Sequence, residues 1–229
     1  MCNLYRMEDI DWVRKWAQDA ESLINLMPSY QMHPDQVGPA IRNTMDGRKK
    51  LAHVRWGLPS PNFVLKKIVD TKVEKLRAKG KPVDEAAMLR EQVDGGVTNV
   101  RKLNLPHWKR WFGVDHRCIV PVTSFAEPDR ASMEEGGKVP NAWFALDETK
   151  PLMFFAGIWV PQWQSVRKVR DGITTDDLYG FLTTDPNNVG QSTKTPCQSC
   201  CARKRKRMSG CVRRGMKRSN SQCHFRTTL

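Results

Sequence analysis

The chain has 229 residues, a formal charge of +14, 39% hydrophobic residues and eight tryptophans, enough for one domain with a filled core. Nothing approaches 18 consecutive apolar residues, which excludes a membrane-spanning helix. The opening Met-Cys-Asn-Leu-Tyr-Arg turns polar at once, so no secretory signal is expected; the seven cysteines are read as cytoplasmic thiols rather than a disulfide framework.

In chain order, residues 8 to 27 place Ile10, Val13, Trp16, Ala17, Ala20, Leu23, Ile24 and Met27 at three- and four-residue spacings, which predicts an amphipathic helix. A loop follows over 27–34, then a short strand at 50–56 and a turn at Trp56-Gly57-Leu58-Pro59-Ser60-Pro61. Residues 64–93, rich in Lys, Glu, Ala and Leu, predict two helices split near Gly80-Lys81-Pro82. Residues 106–112 read as a short helix. Residues 117–122, 142–146, 152–160 and 178–183 are apolar or aromatic runs bounded by Gly, Pro and Asp, and read as strands. Trp108, Trp111, Trp143 and Trp159 are assigned to the core. The order of elements predicts an α+β fold: a single domain of twisted antiparallel β-sheets with peripheral helices.

Composition breaks sharply near residue 190. Residues 191–229 carry eleven Lys/Arg, no Asp or Glu, and five of the seven cysteines, whereas residues 1–190 hold 27 Lys/Arg against 24 Asp/Glu. The net charge therefore belongs to the tail. The domain is expected to span 1–190 and the polar, aperiodic tail to be disordered.

Cys2 is the first candidate for chemistry. Removal of Met1 would leave an α-amine and a thiol on one carbon skeleton. A free α-amine titrates near about 7.7–8.0, so part of it is neutral and nucleophilic at pH 7. Such a group forms an imine with an aldehyde, and the thiol then closes a five-membered thiazolidine.

Four further segments follow Met1-Cys2 in order: Tyr30-Gln31-Met32-His33-Pro34; Thr98-Asn99-Val100-Arg101; the run Arg117-Cys118-Ile119-Val120-Pro121-Val122-Thr123-Ser124-Phe125-Ala126-Glu127-Pro128; and Phe154-Phe155-Ala156-Gly157-Ile158-Trp159. With Trp56-Gly57-Leu58 between them, this ordered set resembles the SOS-response-associated peptidase (SRAP) family, whose members process abasic sites. The resemblance covers roughly residues 1 to 190.

The resemblance implies covalent capture of abasic sites in single-stranded DNA by a thiazolidine link, with peptidase chemistry and abasic-site lyase activity as accompanying possibilities. Cys2 matches the nucleophile, Asn99 the residue that holds the reactive N-terminus and the sugar, and Glu127 the acid/base carboxylate. Arg101 matches a phosphate contact, which a guanidinium can make bidentately. The usual Cys-Gly-Arg opening is here Cys2-Asn3-Leu4, so Arg6 is the substitute contact; the usual loop asparagine is Gln31. Phe63, in the loop after Trp56-Gly57, is a candidate for stacking on a base. No metal or cofactor is expected, and a monomer is.

The family also carries an Ile-His-x-x-x-Met-Pro motif beyond a strand such as Phe181-Leu182-Thr183. Here the chain runs Val189-Gly190-Gln191-Ser192-Thr193, and the five histidines (33, 53, 107, 116 and 224) lie elsewhere. Permitted codons for residues from Gly190 onward, read one frame over, can spell the missing motif. Residues 191–229 are therefore expected to be a frameshifted tail, which the gene sequence decides. Two rival readings use the tail directly: Arg203-Lys204-Arg205-Lys206-Arg207 as a localisation signal or a nucleic-acid patch, the latter making the chain a non-catalytic DNA binder, or Cys197, Cys200, Cys211 and Cys223-His224 as zinc ligands. A lone CxxC with loosely spaced partners is a weak metal signal.

Overall fold

The computed structural model describes residues 4–8, 29–44, 48–129 and 136–183, with positions 11, 13, 21–22, 46, 132–133, 200–201, 208–209, 212–214 and 226–227 besides. Its centre is a ring of five strands: β4 (Val37–Asn43), β5 (Lys49–Trp56), β7 (Arg117–Val122), β10 (Met153–Val166) and β11 (Ile173–Leu182). The ring closes because β10 pairs with β7 on one side and β11 on the other, while β11 also runs parallel to β5. Closure satisfies backbone edges that an open sheet would expose.

Against this ring lies a second sheet in the order β9 (Asn141–Ala145), β8 (Ser124–Pro128), β1 (Leu4–Met7), β3 (Ser29–Met32). Alternation along each strand builds the core between them. Cys118, Val120 and Val122 of β7 share it with Tyr5, Phe125 and Phe144 of the second sheet and with Trp56, Phe155 and Phe181 of the ring. A two-residue strand, β6 (Asn99–Val100), adds to β11 in parallel at Phe181 and Leu182. The antiparallel expectation therefore holds for most pairs, with parallel pairing at β5–β11, at β6–β11 and between β5 and Glu21–Ser22.

Helix α1 (Asn62–Arg77) starts immediately after Pro61 and buries only Val69 and Val73, one turn apart on a single stripe. Helix α2 (Glu85–Arg90) is capped by Asp84, whose carboxylate accepts the Ala87 N–H at 2.9 Å. Helix α3 (Pro106–Lys109) is shorter than the sequence predicts and buries Trp108. The two-helix reading of 64–93 is thus right in kind.

Other expectations need correction. Asp11 and Val13 are helical, but Glu21–Ser22 forms a strand, β2, parallel to β5, so the helix does not reach residue 27; the intervening residues lie outside those described. The expected loop at 27–34 contains β3, held by pairing with β1 at Tyr5↔Met32. Trp143 is not core: its neighbours Ala142 and Phe144 point inward, so alternation turns it to the outer face under the Arg6 guanidinium, 4.0 Å from the ring centroid. Trp108, Trp111 and Trp159 are buried.

In the tail, the described residues include β12 (Cys200–Cys201) beside β10 and a three-residue strand, Val212–Arg214, beside β9. Met208–Ser209 pairs with Arg226–Thr227, and the rest of the tail, including Cys197, Cys211 and Cys223, lies outside the described residues.

Where β10, β11 and the loops near β6 meet, space is tight. A Cβ on Gly180 would stand 2.7 Å from Leu58 Cδ1 and 2.9 Å from the Val97 carbonyl oxygen. Gly180→Ala is therefore expected to destabilise the fold by about 1–3 kcal/mol, as overpacking does. A lowered urea midpoint at unchanged m-value would show it, and an unchanged midpoint would contradict the packing.

Candidate functional site

The strands that bear the candidate residues meet around one cluster of rings. Tyr5 of β1 lies edge-on to Trp56 (centroids 5.1 Å) and to Phe181 (5.6 Å), and Trp56 lies 5.0 Å from Phe181. The Tyr5 and Tyr179 hydroxyls hydrogen-bond at 2.6 Å inside this cluster. Large aromatic side chains bury much apolar area and hold fixed geometry, so the cluster sets three strands in register with one another.

From it, Trp56 reaches the neighbour of Asn99: its Nε1–H donates to the Thr98 carbonyl at 3.3 Å. The same carbonyl accepts the Phe181 N–H at 2.9 Å, and the Val100 carbonyl accepts both the N–H and the hydroxyl of Thr183, at 3.0 and 2.8 Å. Two residues of strand would otherwise be a weak element; these bonds fix both sides of Asn99. Asn99 is 6% exposed, and its amide donates to the Thr98 hydroxyl at 2.8 Å.

Glu127 stands on β8 and is 4% exposed. Its strand is tied to the same cluster through Phe125, which packs 5.2 Å from Phe155, which in turn packs 4.9 Å from Phe181. On the next strand Leu4 pairs with Ala126, the residue before Glu127. Asn99, Glu127 and the strand that follows Cys2 are therefore gathered from three parts of the sequence. Cys2 itself lies outside the described residues.

The remaining candidates are placed differently. Arg101 is exposed just beyond β6, next to exposed Lys102. Phe63 is 64% exposed at the start of α1. Gln31 is exposed on β3, with its side-chain nitrogen 3.0 Å from His33 Nε2. Arg6 alternates with Tyr5 and so projects from the opposite face of β1, over Trp143 and 3.7 Å from Glu8. Arg6 thus stands apart from the aromatic cluster that Tyr5 enters.

A buried polar knot that the sequence does not announce secures the loop leading to Asn99. Arg167, 5% exposed, donates to the Asp94 carbonyl at 3.2 Å and to the Gly57 carbonyl. The Asp94 carboxylate accepts the Ser60 N–H, the Ser60 hydroxyl and the Gly96 N–H. Gly96, at φ +73°, packs against Gly57 and the guanidinium so closely that a side chain there would collide with Arg167. Burial pulls the Arg167 pKa down, opposed by the Asp94 carboxylate. Asp94 before two glycines is a turn signal in the sequence; Arg167 carries none.

Cys118 is buried, and burial pushes its thiol pKa far above the ordinary range, so it is a poor nucleophile. His107 packs against Trp108 and Trp111 with Nε2 3.0 Å from the Pro59 carbonyl oxygen, and burial lowers its pKa. His116 has Nδ1 3.0 Å from the Trp159 carbonyl oxygen. Among the described residues no three His, Cys, Asp or Glu side chains are grouped to hold a metal ion, and no helix is long and apolar enough to cross a membrane.

Comparison with known proteins gives a family and a fold. A family model described as SOS response associated peptidase (SRAP) matches residues 1–194. Among solved structures, the chain is similar to a phage-related protein from Bordetella bronchiseptica (TM-score 0.53, 14% identity, 86% of this chain and 76% of that one). It is also similar to a protein from Bacteroides thetaiotaomicron (TM-score 0.52, 17% identity, 88% and 78%) and to a second Bordetella bronchiseptica protein (TM-score 0.48, 20% identity, 82% and 74%). At such identities the first two likenesses speak to the fold alone. No protein of curated function matches the chain.

The knot generates a prediction. Arg167→Met removes both donations and leaves two buried carbonyls to be satisfied otherwise, which costs about 1–3 kcal/mol for each unsatisfied group. Urea unfolding should show that loss, and amide hydrogen exchange at residues 94–100 should accelerate beyond the global change. Uniform acceleration across the chain would mean that Arg167 does not secure this loop in particular.

Proposed function

Because the chain belongs to the SOS response associated peptidase family, with the SOS-associated role in abasic-site processing and the DNA partner that membership brings, we propose that it captures abasic sites in single-stranded DNA covalently through Cys2. Removal of Met1 exposes the aminothiol. The α-amine adds to the C1′ aldehyde of the ring-opened sugar; loss of water gives an imine; the thiol sulfur then adds to the imine carbon as its proton passes to the nitrogen. The sum is amine, aldehyde and thiol giving thiazolidine and one water, with no oxidant or reductant required.

The roles are those the family resemblance implies, and the burial of Asn99 and Glu127 and the exposure of Arg101 support them. Glu127 moves protons during ring opening, imine formation and reversal. Asn99 holds the amine and the sugar in reacting geometry by hydrogen bonds. Arg101, exposed beside Asn99, takes the adjoining phosphate, and Phe63 stacks on a base. Gln31 and Arg6 are secondary DNA contacts. Peptidase action is confined to exposing the N-terminus, and strand cleavage through the imine is a lyase side activity.

The observation that carries this reading is the pairing of Leu4 with Ala126 beside Glu127, together with the Tyr5–Trp56 contact that leads to Thr98 and Asn99. Two residues of chain tie Cys2 to within about 7 Å of Leu4. The family match ends at residue 194, which supports a domain boundary near 190. No histidine follows Phe181-Leu182-Thr183 where the family's motif places one, so this chain reverses its crosslink slowly.

Met1-processed protein mixed with abasic single-stranded DNA is expected to give an adduct that survives denaturing electrophoresis. Cys2→Ala should give none, and a wild-type yield from it would overturn the covalent mechanism. Glu127→Gln should slow adduct formation about 10²–10⁴-fold, the usual worth of a positioned acid/base, without weakening affinity for intact DNA.

A further inference from the structure

Between the start of α1, the end of α2 and the far end of β10 runs a groove of about 530 Å³ that the proposed function touches only at Phe63. Its lining includes two aromatic side chains, Phe63 and Trp163, and two cationic ones, Lys66 and Arg90. The hydroxyl of Ser165, also in the wall, is buried with no hydrogen-bond partner. Among the described lining residues the one carboxylate is Asp94, and the backbone and hydroxyl of Ser60 already occupy it together with Gly96 N–H.

Helix α3 extends this cationic character toward Asn99. His107 Nε2 lies 3.0 Å from the carbonyl oxygen of Pro59, the residue before the lining residue Ser60. The Arg110 guanidinium lies 3.9 Å over the Trp111 ring and 5.4 Å from the centroid of Trp163. Residues 95–114 contain four Lys/Arg (101, 102, 109 and 110) and no Asp or Glu. All four are exposed. Exposed cations thus occur at 101–102, just past Asn99, and at 109–110, where Arg110 reaches the groove residue Trp163.

Flat rings edged by cations, with no free carboxylate in the wall, suit a flexible polyanion that carries flat bases. A single strand uses both features at once, its bases on the apolar lining and its phosphates on the cations, whereas a neutral peptide would use the apolar lining alone. We propose that this groove carries an undamaged arm of the same single strand that is held at Asn99 and Arg101. Bases lie on Phe63 and Trp163, and phosphates on Lys66, Arg90 and Arg110. The assignment rests on the DNA-capture reading and extends it: the protein grips several nucleotides beside the lesion, so capture depends on the length of single strand available.

The test is binding of labelled, undamaged oligothymidylates of about six and about fifteen nucleotides, spanning the site sizes usual for such grooves, followed by anisotropy over a range of salt. Wild-type protein should bind the longer strand more tightly. In the double variant Lys66→Gln, Arg90→Gln, that gain should shrink about tenfold, and the slope of log K against log salt should fall by about 1.4, the release expected for two single-strand phosphates. The charge-keeping double variant Lys66→Arg, Arg90→Lys should retain the gain. An undiminished length dependence and slope in the glutamine variant would overturn the groove, as would an equal loss in the charge-keeping one. Failure here is separable from failure of covalent capture: Cys2→Ala keeps the length dependence and loses the adduct, and wild-type protein that makes no adduct overturns capture itself.

Discussion

The indole of Trp56 connects the halves of the site. Its ring packs between Tyr5 and Phe181, and its single N–H is directed at the Thr98 carbonyl, one residue before Asn99. A buried tryptophan must place that donor somewhere, because an unpaired polar group in a core is costly. Here the requirement is met by the Thr98 carbonyl, which also accepts the Phe181 N–H, so the indole adds a second hold on the two-residue strand that β11 already pairs. The demand of one ring for a hydrogen-bond partner thereby fixes where Asn99 stands relative to the strand that follows Cys2. The Arg167 knot does the same for the loop upstream, so Asn99 is held from both directions.

Much of this was legible in the sequence, for reasons that differ by element. The helices between 62 and 90 show in their Lys, Glu, Ala and Leu content, and the buried strands β7 and β10 show as apolar runs. β4 was hidden because Val37-Gly38-Pro39-Ala40 reads as a breaker. It survives in the ring because pairing with β7 involves only Ile41 and Arg42, leaving Pro39 beyond that ladder. β3 was hidden between Pro28 and Pro34, and its strand character comes from β1, a partner more than twenty residues away. The site was legible as residue types in order. What the order could not supply was Arg167, a cation whose partners are carbonyl oxygens at 57 and 94 and so leave no trace in side-chain pattern.

Charge divides in a similar way. The high net charge of the chain is concentrated beyond residue 190, and the domain before it is nearly balanced. Balance overall is compatible with strong local fields, since residues 95–114 place four cations together without a carboxylate. Attraction for a polyanion depends on such local arrangement within a Debye length of about 8–10 Å, and a sum over the chain does not report it. The buried Asp94 illustrates the complement: a carboxylate enclosed by N–H and hydroxyl donors contributes to the loop and little to the surface.

The Tyr5–Tyr179 hydrogen bond joins residues 174 positions apart. Synthesis at about 5–20 residues per second puts about 9–35 s between the appearance of one tyrosine and the other. During that interval the N-terminal strand has been made while Phe181 and Tyr179, its partners in the ring cluster, have not. An N-terminal cysteine freed of Met1 in that window is a bare aminothiol on a nascent chain, open to any small aldehyde in its surroundings. On the capture reading proposed above, selectivity for a sugar aldehyde in DNA is acquired late in synthesis, when β11 closes the ring.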